Sequence, residues 1–381
     1  MATKEKVLEM LITQGADEAV SGEKLAADCG VSRAAIWKAV NALRSEGYEI
    51  EGTPNGGYFL SDKDIMTPQL FQKALAEKFP ELSECHTEVF KVIDSTNTYA
   101  KRLLAECGEL RRAGGASLTE AGKKYHRSII VAESQTAGRG RLGRSFVSPE
   151  KTGIYLSIIY APEGGITNPA RLTACIAVAI CRALRKLYGI EAQIKWINDI
   201  FYKGKKICGI LAEGVANFES GIIESAVVGI GINIRENQEA FGQELSKTAG
   251  AIEGCEKKAS VSRSSLAAEI AGQVLKIYEE DKKNHKTVID EYRQLSFLLG
   301  QTLTVYPLIG DDKSAYLARA LEIDDDARLV VEVLPGDEEE WAASLAREGP
   351  AAELKENGHS REIRILNSGE VSLHSSEVRA G

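Results

Sequence analysis

The chain has 381 residues, 44% of them hydrophobic and 27% charged, with a net charge of −8. That suits two or three ordinary globular domains and excludes a low-complexity chain or a generally basic polyanion binder, so any anion site must come from local clustering of cations. No signal-like apolar core opens MATKEKVLEM and no run approaches the ~20 apolar residues of a membrane span, so no membrane role is expected.

Residues 1–60 read as three helices and a hairpin. Val7, Leu8, Leu11 and Ile12 form one helical stripe. Ser21 caps a second helix through Ala27, and Cys29-Gly30 turns the chain. Ser32 caps a third, with Ile36, Val40 and Leu43 facing inward. Tyr48 to Glu51 alternates as a strand, Thr53-Pro54-Asn55-Gly56-Gly57 is a tight turn, and Tyr58-Phe59-Leu60 returns. This order is a winged helix-turn-helix, expected over 1–62. Residues 31–45 carry Arg33, Lys38 and Arg44 and no carboxylate, within an otherwise acidic segment. A helix docked in the major groove wants that arrangement: cations for phosphates, and Ser32, Arg33 and Asn41 for base edges.

Ser61-Asp62-Lys63-Asp64 is a polar linker, after which Thr67 caps a helix opened by Pro68. The middle region, 66–295, mixes strand-like runs (129–132, 154–160, 225–234) with two long helices, one from Asn168-Pro169 to about 187 and one over 263–280. That is an α+β pattern with a mixed sheet. From 297 to 381 short strands separated by turn residues predict a small β-barrel. An acidic insert at about 336–360 and a Gly- and base-rich stretch at 108–127 read as excursions, the latter in position to alter access to the loop that follows it. The seven cysteines are scattered without CxxC spacing and read as reduced thiols of a cytoplasmic protein, with Cys175, Cys181 and Cys208 as packing residues.

Four motifs carry the chemistry. Glu133 to Phe146, ESQTAGRGRLGRSF, alternates glycine with arginine. Glycine admits close backbone approach and positive φ, and arginine supplies planar paired donors, so the stretch is an oxyanion loop held between strands. It is not a Walker loop. KWIND (195–199) with KKICGIL (205–211) ends a strand in polar side chains and carries Lys206 into an apolar strand. GIGIN (229–233) is a strand whose glycines leave room for a flat ligand, and DSTN (94–97) is a helix-cap sequence.

In this order, behind a winged helix and ahead of a barrel ending in GEVSLHS, these motifs resemble the bifunctional biotin–protein ligases that also repress the biotin operon. The resemblance covers the chain apart from the two inserts and implies an SH3-like C-terminal barrel. It implies ATP, magnesium arriving with ATP at no fixed metal site, and biotin. Biotinyl-5′-AMP would form, the biotinyl group would pass to a lysine of a biotin carboxyl carrier domain, and the adenylate would promote a homodimer that binds operator DNA. Carried over by position, Ser95, Thr96, Asn97, Gln135, Gly138 and Tyr155 should meet the biotin head or line its pocket. Gly209, Leu211, Gly229 and Ile232 should wall it. Arg139, Arg141 and Arg144 should gather phosphate and carboxylate. Lys206 should be the chief catalytic cation, with Lys195, Asn198 and Asp199 on the nucleotide side and Asn233 at phosphate or magnesium. Two departures stand out: Ile197 where the motif usually has proline, and His374 where a basic residue is common. A ligase without DNA binding, a ligand sensor without ligase activity, and a lipoate ligase or octanoyl transferase of the same broad architecture are the rival readings.

Overall fold

The computed structural model describes residues 3–13, 19–53, 56–61, 64–108, 110–111, 117–216, 223–255, 262–306, 315–334, 362–367 and 369–373. Pro54 and Asn55 of the expected turn, linker residues Asp62 and Lys63, the 336–360 insert and His374 lie outside them. The chain divides into two compact units, residues 1–70 and 71–381.

In the first unit α1 (Thr3–Thr13), α2 (Gly22–Cys29) and α3 (Arg33–Ser45) precede a hairpin of β1 (Ile50–Thr53) and β2 (Gly57–Leu60). The caps form as the sequence predicts: Ser21 Oγ accepts from Lys24 N and Ser32 Oγ from Ala35 N. Each satisfies an orphan donor, worth about 1 kcal/mol. Val7, Leu8, Leu11, Leu25, Ile36, Val40 and Leu43 close one core with Ile50 and Leu60 of the hairpin. Two boundaries differ from expectation. The second helix continues to Cys29, where Gly30 at φ 68° ends it in the left-handed conformation. The first strand starts at Ile50, because Tyr48 N is still donating to Leu43 O at the end of α3.

α4 (Pro68–Lys78) begins at Thr67, whose Oγ1 accepts from Leu70 N. The second unit then runs β3 (Thr87–Ile93), α5 (Thr96–Glu106), α6 (Glu120–Tyr125), β4 (Ile129–Gln135), β5 (Gly153–Tyr160), α7 (Pro169–Tyr188), β6 (Gln193–Lys195), β7 (Asp199–Tyr202), β8 (Lys205–Ala216) and β9 (Ile223–Asn233). Helices α8 (Gln238–Thr248), α9 (Ile252–Cys255), α10 (Arg263–Lys283) and α11 (His285–Leu295) follow. The seven strands make one mixed sheet in the order β3-β4-β5-β9-β8-β7-β6, with β3 and β4 parallel and the other pairs antiparallel. Helix α7, which is buried along most of its length, packs with α10 and α11 and against β7 and β8. On the other face Ala100 and Leu104 of α5 pack onto Ile130, Ile159 and Val227.

Five further strands, β10 (Thr302–Tyr306), β11 (Tyr316–Ile323), β12 (Leu329–Val333), β13 (Ile363–Leu366) and β14 (Glu370–Leu373), form an antiparallel sheet in the order β13-β12-β11-β10-β14. The outer strands β13 and β14 are joined by residues 367–369 alone. Four strand spacings of a flat sheet would separate them by roughly 19 Å, beyond the roughly 14 Å that such a link spans. The sheet is therefore curled, and the register shift between Ala320 and Glu322 bends β11 in the middle of it. The ladder does not close among the described residues, which form a curled antiparallel sheet.

The 108–127 stretch corrects one expectation. Leu110 and Leu118 are buried, Arg111 donates to the carbonyls of Pro162 and Glu224, and α6 follows. These contacts lie at the far ends of β5 and β9, away from the glycine–arginine loop, so the described residues of the stretch are packed there and do not border that loop; residues 109 and 112–116 lie outside the described residues. Next to it His126 Nδ1 accepts from Ala161 N at 3.1 Å. Burial, with Arg127 and Lys282 nearby, lowers its pKa from 6.5 to about 4. Between those values the unfolded chain holds a proton that the folded chain does not, so stability falls as pH drops through this window. His126→Gln is expected to lose less melting temperature than wild type between pH 7 and pH 5; parallel losses would refute this.

Candidate active site

The site grows from one face of the sheet. Along β9 side chains alternate, putting Val227, Gly229, Gly231 and Asn233 on the α5 side and Val228, Ile230 and Ile232 on the α7 side. Gly229 pairs with Leu211 and Ser157, and Gly231 with Gly209 and Tyr155, giving a floor low in side chains. Lys206 would belong to the opposite face if β8 alternated without interruption from Gly209. The pairing instead slips, with Cys208 opposite Ile200 and Lys206 opposite Phe201, so Ile207 is an extra residue. That bulge turns Lys206 onto the ligand side, with Nζ 3.6 Å from the position a Cβ on Gly209 would take.

Over this floor stands the start of α5. Ser95 Oγ caps the helix by accepting from Thr98 N. Thr96 N donates to Gln135 Oε1 at 2.8 Å, and Gln135 Nε2 donates to Ser148 Oγ at 2.9 Å. Buried Ser157 Oγ donates to Asn97 Oδ1 at 2.6 Å and lies 2.7 Å from Thr96 Oγ1, while Asn97 Nδ2 donates to Glu213 Oε2 at 2.9 Å. Burial raises the Glu213 pKa, but hydrogen bonds from Lys101 and Asn97 outweigh it and hold the carboxyl below its ordinary value.

The glycine–arginine loop folds back on itself, with Phe146 N donating to Gly138 O and Gly140 N to Arg144 O. Positive φ occurs at Leu142 (64°) and Gly143 (75°), not at Gly138 or Gly140. Each arginine has an acceptor: Arg139 lies 3.2 Å from Glu213, Arg141 donates to Asn198 Oδ1 at 2.7 Å, and Arg144 forms a forked pair with Glu370 of β14 at 2.6 and 3.0 Å. The last pair joins the loop to the C-terminal sheet. Since the Arg144 side chain is 61% exposed, a double-mutant cycle with Arg144→Ala and Glu370→Ala should give a stability coupling of at most about 1 kcal/mol in chemical denaturation. A coupling well above that would make the pair a structural brace.

Two cavities meet here. One, of about 60 Å³, is lined by Ser95, Thr96, Asn97, Gln135, Arg139, Gly209, Leu211 and Gly229 among others. The second, of about 750 Å³, is lined by Arg144, Lys195, Asp199 and Asn233, by Phe241 of α8 and by residues of β14. Gly140, Arg141, Phe146, Asn198 and Lys206 line both. Lys206 Nζ is 2.7 Å from Asp199 Oδ1, which also accepts from Asn198 Nδ2 at 3.0 Å. Burial lowers the pKa of Lys195, partly offset by Asp199, and burial likewise lowers that of Arg141. Asn233 Nδ2 donates to Gly250 O.

Three expected pocket residues lie outside both linings. Ile232 is fully buried on the α7 side of β9. The Tyr155 hydroxyl is held by Pro149 O and Thr152, its pKa raised to about 12 by burial, and its ring stands behind Phe146. Gly138 is required by its own loop, since a Cβ there would sit 2.3 Å from Phe146 O. The room above the floor glycines is also partly filled: Asn97 stands over Gly229 and the Phe146 ring over Gly231. Phe146 and Glu213 are two site residues that the motifs left without a role. Glu213 follows Gly209 and Leu211 at period two, a signal visible in the sequence. Phe146 closes the arginine motif without one. In the first unit Ser32, Arg33, Lys38, Asn41 and Arg44 all lie on α3 or at its cap, but Arg44 Nε donates to Ile50 O at 2.8 Å and so braces the wing.

Residues 89–233 match the biotin/lipoate A/B protein ligase family, and residues 3–59 match an HTH domain family. The chain is 30% identical to the bifunctional ligase/repressor BirA of Bacillus spizizenii over 346 residues, covering 90% of this chain and 98% of that one. It is 30% identical to the BirA of Escherichia coli, covering 94% of each. Among solved structures it resembles the biotin protein ligase of Aquifex aeolicus in complex with biotin and ATP, with a TM-score of 0.54 and 21% identity over 76% of this chain and 99% of that one.

Proposed function

The chain belongs to the bifunctional ligase/repressor family, and from that premise we propose how its two cavities divide the work. It is a biotin–protein ligase and a repressor, using biotin and ATP. The small cavity takes the ureido head of biotin, against Ser95, Thr96, Gln135 and the glycine floor. The larger cavity takes the nucleotide. Lys206, Arg141 and Asn198 line both, and this shared lining carries the reading. The biotin carboxylate attacks the α-phosphorus of ATP and pyrophosphate leaves. Two anions must approach for that bond to form, so cations fixed at the junction are what the step needs. Magnesium would arrive on the nucleotide phosphates, with Asp199 and Asn233 beside it, and would supply charge neutralisation. In the second half-reaction the carrier lysine amine attacks the biotinyl carbonyl, AMP leaves and the amine loses a proton. Asp199 Oδ1, which already accepts from Lys206 and Asn198, orients these groups.

We read the chain as a winged helix (1–62), a catalytic segment (66–295) and a barrel (297–381), working in the cytoplasm with a carrier domain and operator DNA as partners. Ordering a glycine-rich loop costs conformational entropy, so an adenylate that supplies the order couples ligand binding to dimerisation. The ligase test is pyrophosphate release and biotin incorporation into a purified carrier domain with ATP and magnesium. Release without transfer would leave a sensor, and no adenylate at all would end the reading. Sedimentation with and without biotin and ATP tests the dimer; an unchanged mass at micromolar protein would remove the coupling.

A further inference from the structure

Trp37 is exposed to 58% on the second turn of α3, and it is the one exposed large apolar side chain among the described residues of the first unit. Ile36, Ala39, Val40 and Leu43 of the same helix are buried, so Trp37 does not serve the core. Along the helix its charged neighbours are cationic. Arg33 and Lys38 are exposed beside it, and no carboxylate occurs in 31–45, although the unit as a whole is acidic. An indole among cations without a carboxylate is complementary to a polyanion that presents an apolar group. In duplex DNA that group is the thymine C5-methyl, which projects into the major groove and is recognised there by apolar side chains. Position agrees with chemistry, because the early residues of a helix docked in the groove are those that reach base edges. Asn41, one turn on, turns its Oδ1 toward Arg44, leaving its amide nitrogen to donate to a base.

We propose that Trp37 determines operator specificity by packing its indole on thymine methyl groups in the major groove, between phosphate contacts from Arg33 and Lys38. The proposal rests on the DNA-binding reading above and adds to it the residue and the base it selects. Lys38 and Arg33 supply affinity that does not depend on sequence; Trp37 supplies discrimination.

The test starts with duplexes enriched from a random-sequence pool by the wild-type protein in the presence of biotin and ATP. Affinities of wild type, Trp37→Ala and Trp37→Phe are then measured for the enriched duplex and for a copy with thymine replaced by uracil. Wild type should lose about tenfold on losing the methyl groups. Trp37→Ala should bind the thymine duplex about 10- to 100-fold more weakly and no longer distinguish it from the uracil copy. Trp37→Phe should retain part of the preference. Unchanged thermal melting and biotin transfer in Trp37→Ala would show that the fold is intact. The inference is overturned if Trp37→Ala binds as wild type does, if it weakens yet keeps the full thymine preference, or if wild type itself ignores the methyl groups. If wild type enriches no duplex, the DNA-binding reading falls and this inference with it.

Discussion

Lys206→Ala is expected to slow formation of biotinyl-adenylate by about 100- to 1,000-fold, the loss typical of removing one preorganised charge donor. The size follows from placement. The bulge at Ile207 is a local irregularity whose effect is to bring this one ammonium group from the core face to the ligand face. There it lines both cavities and is 2.7 Å from Asp199. Its removal deletes a cation and also leaves Asp199 without its ion-pair partner at 2.7 Å where two anions must converge. The two losses reinforce each other, so Lys206→Ala with Asp199→Asn should be faster than Lys206→Ala alone. Stability should change little, since the Lys206 side chain is 36% exposed and its ion pair is partly solvated. Single-turnover pyrophosphate release measures the effect. A rate within fivefold of wild type would remove Lys206 from the centre of the reaction and leave Arg141 as the main cation at the junction.

What the sequence made legible was what local chemistry decides. Ser21, Ser32, Thr67 and Ser95 all cap the helices they precede, because a cap needs only its own side chain and the next turn. The long helices α7 and α10 follow from their apolar spacing. What depends on pairing was not legible. No local signal puts β14 beside β10, or marks Ile207 as an extra residue in β8. Ile232 lies outside the linings for a simple reason: motif position says which strand a residue is on, and only alternation says which face. Counting by two from Gly229 reaches Gly231 and Asn233 and excludes Ile232. In the 108–127 stretch composition marked an excursion but not that Leu110, Arg111 and Leu118 would be buried.

Gly229→Ala should raise the KM for biotin by about 10- to 100-fold and cost roughly 1–3 kcal/mol of stability, through displacement of a buried, fully bonded side chain. A Cβ at Gly229 would stand 2.3 Å from Asn97 Oδ1. Asn97 is 3% exposed and cannot swing away without giving up Ser157 on one side and Glu213 on the other. Glu213 is also the acceptor of Arg139, so the disturbance reaches the arginine loop. The neighbouring glycines should respond less, in a fixed order. At Gly231 the obstacle is the Phe146 ring at 2.5 Å, the free end of a side chain that can rotate, so Gly231→Ala should be milder. At Gly209 the nearest atom is 3.5 Å away, an ordinary contact, so Gly209→Ala should be mildest in stability. Biotin KM and melting temperature for the three variants test the order. If Gly209→Ala raises the KM most while melting as wild type does, then the floor glycines exist for the approach of the ligand rather than for the packing of Asn97 and Phe146, and the small cavity is set by the reactant it receives.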